Sequence, residues 1–503
     1  MKYVSLIILF SVAALSVQAQ TDNKIVIGKV DSVYSAILKE QRKVWVYVPD
    51  MLNGNHDTSQ RYPVVYLLDG DGHFGSVVGM IQQLSEINGN TICPDMIVVG
   101  IPNTDRTRDL TPTHIASDPP MMDSNFSKNT GGGESFVSFI EKELMPHIDS
   151  LYPTQPYKML IGHSFGGLTV MNVLTNHTKL FNAYIAIDPS MWYDQERFLK
   201  ATEKKLTEKK YDGIKLYLGI ANTMPDGMTL DKMKKDTTAD TRHIRSIFAL
   251  DQFIKANTQN GLKFASKYYG DDDHGSVPLT SEYDGLRTIF GYYRFKFTRT
   301  DFTDSGTSLV LKMQKHYESI SKEFGYKVNP SEMLINSFGY QAIGSNQFTK
   351  ATALFQMNIA NYPNSGNVYD SYGDLFAAKK DTLNAIANYQ KALAVNNNAD
   401  TKQKLLELQG KASFTLSPQD LQKYVADFEF EGITATATTT IKDNALMASV
   451  PGQGDFELVP VSPDTFSVKG MEGYKVHFEM EGNKLLGFTS TQPDGTYKAH
   501  IKQ

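Results

Sequence analysis

A glycine-flanked serine, Gly162-His163-Ser164-Phe165-Gly166-Gly167, follows directly on the apolar run Tyr157 to Ile161. The form is G-x-S-x-G, and it constrains the fold more than any other segment of the chain. A serine at the tip of a sharp strand-to-helix turn takes a strained backbone, and larger side chains two positions to either side would clash. Such a turn lifts the hydroxyl clear of a sheet. It also sets the Phe165 N–H at the start of a helix, where an anion can be held. A Gly-rich turn that only packs a helix closely on a strand is the alternative reading of the same six residues.

The surrounding pattern fits such a turn. From about residue 24 to 300, short β-rich runs alternate with longer helical patterns. The runs are Val44–Val48, Val64–Leu68, Met96–Gly100, Met159–Gly162, Ala183–Ile187 and Ile214–Ile220, with Phe264–Tyr269 as a further strand candidate. Nearly continuous apolar runs predict strands buried on both faces of a largely parallel sheet. Glu134–Leu151 carries Phe136, Phe139, Ile140 and Leu144 at helical spacing. The alternation predicts an α/β fold with helices on both faces. Thr300–Thr307 reads as the linker that closes this region.

At 503 residues the chain is too long for one ordinary core. After a linker and helix over 301–328, residues 329–411 repeat themselves. Phe338-Gly339-Tyr340 and Tyr372-Gly373-Asp374 are offset by 34 residues, as are Ala351 and Ala385, and Phe355 and Tyr389. Small and aromatic positions at that period, in two-helix units, resemble tetratricopeptide repeats and offer a surface for a protein partner. Over 412–503 short runs of period two (Ala435–Ile441, Phe456–Val461, Lys475–Met480, Leu485–Thr489), with Pro493-Asp494-Gly495 as a turn, predict a small antiparallel barrel or sandwich.

At the start, Met1-Lys2, the apolar Val4–Ala14 and Val17-Gln18-Ala19 have the form of a signal peptide over 1–19, leaving 20–300 for the α/β domain. No cysteine follows the cleavage site. The reading is an exported protein, periplasmic or extracellular, with no membrane span once the signal is removed. A net charge of −5 gives no electrostatic case for nucleic acid. The single cysteine, Cys93, reads as a buried packing residue and excludes an internal disulfide.

A serine nucleophile needs a base, and His274 lies 110 residues after Ser164 in Asp271-Asp272-Asp273-His274-Gly275-Ser276-Val277-Pro278, just past the Phe264–Tyr269 strand candidate. The acid that orients such a histidine is expected after the Ile214–Ile220 strand. Asp226 is the first choice there, with Asp231 and Asp236 as alternatives and a Ser–His dyad left open. A second oxyanion donor is expected from Asp69-Gly70-Asp71-Gly72-His73-Phe74, namely the N–H of Gly70 or Asp71, beside that of Phe165.

Five ordered segments carry a family resemblance: Val65-Tyr66-Leu67-Leu68-Asp69-Gly70; Val99-Gly100-Ile101-Pro102-Asn103-Thr104-Asp105-Arg106; Arg108-Asp109-Leu110-Thr111-Pro112; Gly162–Gly167; and Asp273–Pro278. With Asp188-Pro189-Ser190-Met191-Trp192-Tyr193 they make residues 24–295 resemble the putative-esterase family of α/β-hydrolases, which contains esterase D, feruloyl esterases and ferric-siderophore esterases. The resemblance implies Ser164 as nucleophile and His274 as base, with no cofactor or catalytic metal. His274-Gly275-Ser276-Val277-Pro278 and the arginine-rich loop look most like the siderophore-esterase branch, some of whose members work with a Ser–His dyad. Trp192 is then a candidate substrate contact, and Arg106 and Arg108 are candidates for holding an anionic ester substrate such as a ferric tricatecholate. Their alternative is ion pairing with Asp105 and Asp109. Thr130-Gly131-Gly132-Gly133 reads as a mobile lid or as the loop before the Glu134 helix. Feruloyl or acetyl esters of saccharides compete as substrates, and a non-catalytic scaffold built on the repeats is a reading of another class.

Overall fold

A computed structural model describes residues 25–49, 60–410, 414–432, 435–471, 473–493 and 495–502. The signal-like segment and Asp494 of the expected turn lie outside these residues. The chain divides into two compact units, one of residues up to Phe295 together with Ile320–Tyr326, the other of Lys296–Ser319 and Lys327 onward.

The first unit is built on an eight-stranded sheet in the order β1-β2-β4-β3-β5-β6-β7-β8. Its strands are β1 Lys29–Ser35, β2 Glu40–Tyr47, β3 Tyr62–Leu68, β4 Ile97–Ile101, β5 Thr154–His163, β6 Ala183–Ile187, β7 Lys215–Ala221 and β8 Lys263–Tyr269. The pairs β1–β2 and β2–β4 are antiparallel, and from β4 through β3, β5, β6 and β7 to β8 the sheet is parallel. Strands β3, β4, β6 and β7 are buried at every residue. That is why the sequence shows them as unbroken apolar runs. The sequence reading missed β1, an edge strand whose Val30 and Tyr34 face solvent.

The Glu134–Leu151 segment is one helical stretch with a π-helical turn at Ile140–Leu144 between Gly133–Phe139 and Met145–Leu151. The Thr300–Thr307 stretch is helical as far as Thr303 and irregular from Asp304 to Thr307. Arg299–Thr303 is a helix with a capping box from Thr298 to Asp301, and the buried Asp301 carboxylate takes Lys312 Nζ at 2.5 Å. The next helix, Ser308–Phe324, returns its last residues to the first unit, where the Phe324 ring packs 4.7 Å from Tyr157 and 6.1 Å from Phe290.

In the second unit, helices Glu332–Gly344, Phe348–Asn361, Gly366–Ala378 and Thr382–Val395 cover the segment read as repeats. The 34-residue period has a steric cause. A Cβ on Gly339 would stand 2.5 Å from the Phe355 ring, and one on Gly373 would stand 2.5 Å from the Tyr389 ring. Each glycine lets an aromatic of the following helix lie against its backbone. Tyr340 and Asp374, 34 residues apart, are bonded to each other at 2.7 Å, and Asp374 also accepts from Tyr389 at 2.6 Å. Gly373→Ala is therefore expected to cost about 1–3 kcal/mol by overpacking. Gly344→Ala, with nothing within 4 Å of its Cβ, is expected to be neutral or mildly stabilising. Thermal melts followed by circular dichroism would compare the two.

The C-terminal strands, β9 Asp427–Phe430, β10 Thr436–Lys442, β11 Ala445–Val450, β12 Gly454–Ser462, β13 Thr465–Val468, β14 Lys475–Glu481, β15 Lys484–Gln492 and β16 Gly495–Ile501, close as a barrel when β9 pairs with both β10 and β16. Closure leaves no free sheet edge in the ring. The core is aromatic: Tyr424, Phe428, Phe466, Phe478 and Phe488 are buried, with neighbouring ring centroids 4.8 to 6.2 Å apart.

Candidate active site

Strand β5 lies between β3 and β6, and the glycine-flanked serine stands at its carboxyl end. Ser164 has φ 60° and ψ −114°, a positive-φ conformation unfavourable to a residue with a Cβ. The turn is held from outside, as the Ser164 N–H donates to the Ile187 carbonyl at 3.0 Å and the Ser164 carbonyl accepts from Ser190 N–H at 3.1 Å. The surrounding glycines are dictated by contact. A Cβ on Gly162 would lie 2.5 Å from the Gly166 backbone, and one on Gly167 would lie 2.9 Å from Pro189.

The Ser164 hydroxyl lies 3.1 Å from His274 Nε2. His274 follows β8 on a turn stapled by Asp273, whose carboxylate accepts the N–H groups of Gly275 at 2.9 Å and Ser276 at 2.8 Å. The other imidazole nitrogen, Nδ1, meets the Asp188 carboxylate at 2.6 Å. Asp188 sits just past β6 at φ 40°, and its side chain has no exposure to solvent. Burial alone would raise its pKa. The hydrogen bonds from His243 and His274 outweigh burial and hold the carboxyl well below the usual carboxylate range.

Asp226, the acid expected from the sequence, is not brought to His274. It is exposed on the loop beyond β7, a loop otherwise engaged. The Ala221 N–H donates to Asp188 Oδ1 at 3.0 Å, the Asn222 N–H donates to the Asp272 carbonyl at 2.8 Å, and the Asn222 amide donates to the Gly270 carbonyl at 3.0 Å. The end of β7 thus fastens Asp188 and the His274 loop without contributing a carboxylate. Asp231 and Asp236 lie beyond it, and Asp236 is tied to Thr238 and Thr241. The signal for Asp188 was present, since it opens the Asp188–Tyr193 segment directly after the fully buried β6.

The oxyanion candidates are the first N–H groups of two helices, Gly70–Ser85 after β3 and Phe165–Asn176 after β5. The first N–H groups of a helix have no acceptor within it. Asp69, at φ 52°, turns the chain into the first of these helices. A Cβ on Gly70 would lie 2.6 Å from the Ile101 nitrogen, so the backbone there approaches β4 as only glycine permits.

Arg106 and Arg108 are held by the protein itself. Arg106 forks onto Asp69, Nε to Oδ1 at 2.6 Å and Nη2 to Oδ2 at 3.0 Å, and reaches the His163 carbonyl at 3.3 Å. Arg108 pairs with Glu40 at 2.6 Å and with Asp109 at 2.7 Å. Neither pairs with Asp105, whose carboxylate caps the short Arg106–Leu110 helix. Arg106 therefore ties the loops after β3, β4 and β5 together beside the serine. The glycines at 131, 132 and 133 are pinned, with Gly131 N–H on Thr111 Oγ1, Gly132 N–H on the Arg108 carbonyl and Gly133 N–H on the Thr111 carbonyl, at 2.8 to 3.0 Å. They form the loop before a helix and not a lid. Trp192 is buried, its ring centroid 6.0 Å from that of Phe165, and the exposed Phe126 stands 6.4 Å from Phe165. Cys93 is buried, and burial pushes its thiol pKa far up.

His163, between Gly162 and Ser164, packs on His274 with centroids 4.5 Å apart, and its Nε2 is buried without a partner. Burial, reinforced by His274, pushes its pKa down to about 3, so it is a neutral ring at ordinary pH.

Sheet order, the turn at Ser164 and the helices that follow β3 and β5 define an α/β-hydrolase. The model of the family described as putative esterase matches residues 35–259. An IroE-like serine hydrolase from Shewanella oneidensis is 31% identical, with a TM-score of 0.54, and the match covers 66% of this chain and 98% of that one. The chain belongs to the putative-esterase family of α/β-hydrolases. The ferri-bacillibactin esterase BesA of Bacillus subtilis is 33% identical over 168 residues, 31% of this chain and 58% of that protein's length. A siderophore enterobactin esterase of Emericella nidulans is 25% identical over 233 residues, 42% of this chain and 77% of the relative.

Proposed function

We propose that the chain is an exported serine carboxylic-ester hydrolase that cleaves ferric-siderophore esters. The observation that carries the reading is the unbroken hydrogen-bonded series from the Ser164 hydroxyl through His274 to Asp188 at the carboxyl ends of β5, β8 and β6. His274 Nε2 takes the hydroxyl proton as Ser164 Oγ adds to the ester carbonyl. Asp188 holds the proton on Nδ1 and stabilises the imidazolium that forms. The N–H groups of Phe165 and of Gly70 or Asp71 receive the oxyanion. Collapse expels the alcohol, which takes its proton from His274. Water, activated by the same ring, then releases the acid from the acyl-enzyme. The names of the relatives support the siderophore class.

The test presents a ferric catecholate trilactone, a feruloyl ester and a chromogenic acetate to the protein, with Ser164→Ala as the blank. A fluorophosphonate probe reports the nucleophile by mass. Turnover of the trilactone ahead of the other two, with Ser164 as the labelled residue, is the expected result. Preference for the feruloyl ester would replace the substrate assignment and leave the mechanism. A folded protein that neither turns over nor labels would favour a scaffold organised around the helical segment.

A further inference from the structure

Two imidazoles share one carboxylate oxygen, and the mechanism above uses only one of them. Asp188 Oδ2 meets His274 Nδ1 at 2.6 Å and His243 Nε2 at 2.7 Å, while Oδ1 is taken by the Ala221 N–H. His243 comes from the helix Arg242–Ala256, and its ring stands edge-on to that of His274, centroids 5.2 Å apart at 86°. Its other nitrogen, Nδ1, is buried and has no partner. A proton there would be a stranded donor in the interior, which is costly. Nε2 is therefore the nitrogen that donates, and it donates to Asp188.

The three side chains also offer ligand atoms within 4.8 Å of one another. Their separations on Asp188, however, are those of shared protons. A tetrahedral ion with bonds of about 2.0–2.2 Å needs ligand atoms about 3.3 Å apart or more.

We propose that His243 is a positioning residue for the esterase reaction: a second donor that fixes the rotamer of Asp188 and takes up part of its acceptor strength beside His274. The inference rests on the reading of Ser164, His274 and Asp188 given above. A carboxylate oxygen that accepts two N–H groups divides its acceptor strength between them. Without His243 the whole of it would bear on His274.

The other charged groups around the pair are already committed. His163 is neutral against His274. His73, 6.1 Å from His163, is paired with Glu282 at 2.9 Å. Asp273 is occupied by its own turn, and Asp272 accepts from Thr280. Arg242 holds Asp118 at 2.8 Å and the Trp192 carbonyl at 2.8 Å, and Arg106 holds Asp69.

The test uses the full chain and two variants. His243→Phe keeps a planar ring without a donor, and His243→Gln places an amide N–H where Nε2 stood and cannot titrate. With the second donor lost and the whole acceptor bearing on the His274 N–H, the acid limb of kcat/KM on a chromogenic acetate is expected to move up by about half to one pH unit in His243→Phe. It is expected to return toward the parent position in His243→Gln, with KM little changed in both. Proton NMR supplies a second readout, expecting two downfield imidazole N–H signals in the parent and one in His243→Phe. If His243→Phe does not fold, His243→Asn, whose shorter amide does not reach Asp188, takes its place. An active parent whose limb stays in place in the donor-less variant overturns this assignment alone, as does an equal displacement in the phenylalanine and glutamine variants. A parent inert toward every ester and unlabelled at Ser164 removes the underlying reading and this assignment with it.

Discussion

Exchanging Asp188 for asparagine is expected to lower kcat about 10³- to 10⁴-fold while moving KM little. The carboxylate receives hydrogen bonds on both oxygens, from the Ala221 N–H on Oδ1 and from two imidazoles on Oδ2. An asparagine has one acceptor and one donor to place there. With its oxygen toward the imidazoles, the amide NH₂ meets the Ala221 N–H head-on. Turned the other way, the NH₂ meets two N–H groups, and His274 must move its proton to Nε2. In that tautomer Nε2 has no lone pair for the Ser164 hydroxyl, and the nucleophile loses its base. Either arrangement also takes away the charge that stabilises the imidazolium. Asp226→Asn, at an exposed position away from the histidine, is expected to stay within about twofold of the parent, the range of ordinary surface substitutions. Steady-state kinetics on a chromogenic ester, with circular dichroism to verify folding, reads both. A large loss in Asp226→Asn with Asp188→Asn spared would reverse the assignment of the acid.

The second large effect concerns stability in mild acid. His163 titrates near 6.5 in an unfolded chain, and in the folded protein burial keeps it neutral down to about 3. At pH 7 both states are mostly uncharged, and the residue contributes little to pH dependence. As pH falls through 6.5 the unfolded chain binds a proton that the native ring refuses. Stability is then lost at up to about 1.4 kcal/mol per pH unit, until the native ring itself titrates. His163→Phe, which retains a planar ring but cannot bind a proton, is expected to gain about 2 kcal/mol over the parent near pH 5 relative to their difference at pH 7. Urea unfolding of both proteins at the two pH values measures this. Parallel stability–pH curves would show that the native ring accepts its proton without penalty.

Much of the first unit was legible because parallel strands buried on both faces are written as continuous apolar runs, and β6 coincides with the run Ala183–Ile187. β1 was not, since its alternating exposure at an edge resembles a polar loop. The candidate nucleophile and base stood out through local chemistry, a glycine-flanked serine and a histidine in a tight aspartate turn. The acid did not, because what selects Asp188 is non-local. Asp188 and His274 lie 86 residues apart, and only the sheet order places the end of β6 within reach of the His274 ring. The pairing of Arg108 with Asp109 was legible from adjacency, whereas the partners Asp69 of Arg106 and Glu40 of Arg108 lie 37 and 68 residues away. The Thr300–Thr307 stretch has a linker's composition, but its threonines and aspartates are the residues that cap helices.

The return of Ile320–Tyr326 to the first unit bears on how such a chain could be dissected or recombined. Phe324 fills a space among Tyr157, Phe290, Tyr292 and Tyr293, and Glu323 neutralises Lys215 and Lys263 on the last two strands of the sheet. The gene segment for the catalytic fold therefore does not end where its sheet ends. A fragment cut at the natural-looking border near residue 300 would carry away its serine and histidine intact, yet bare a cluster of tyrosines and leave a buried lysine without its counter-charge. A working graft of the first unit would have to take the helix Ser308–Phe324 along.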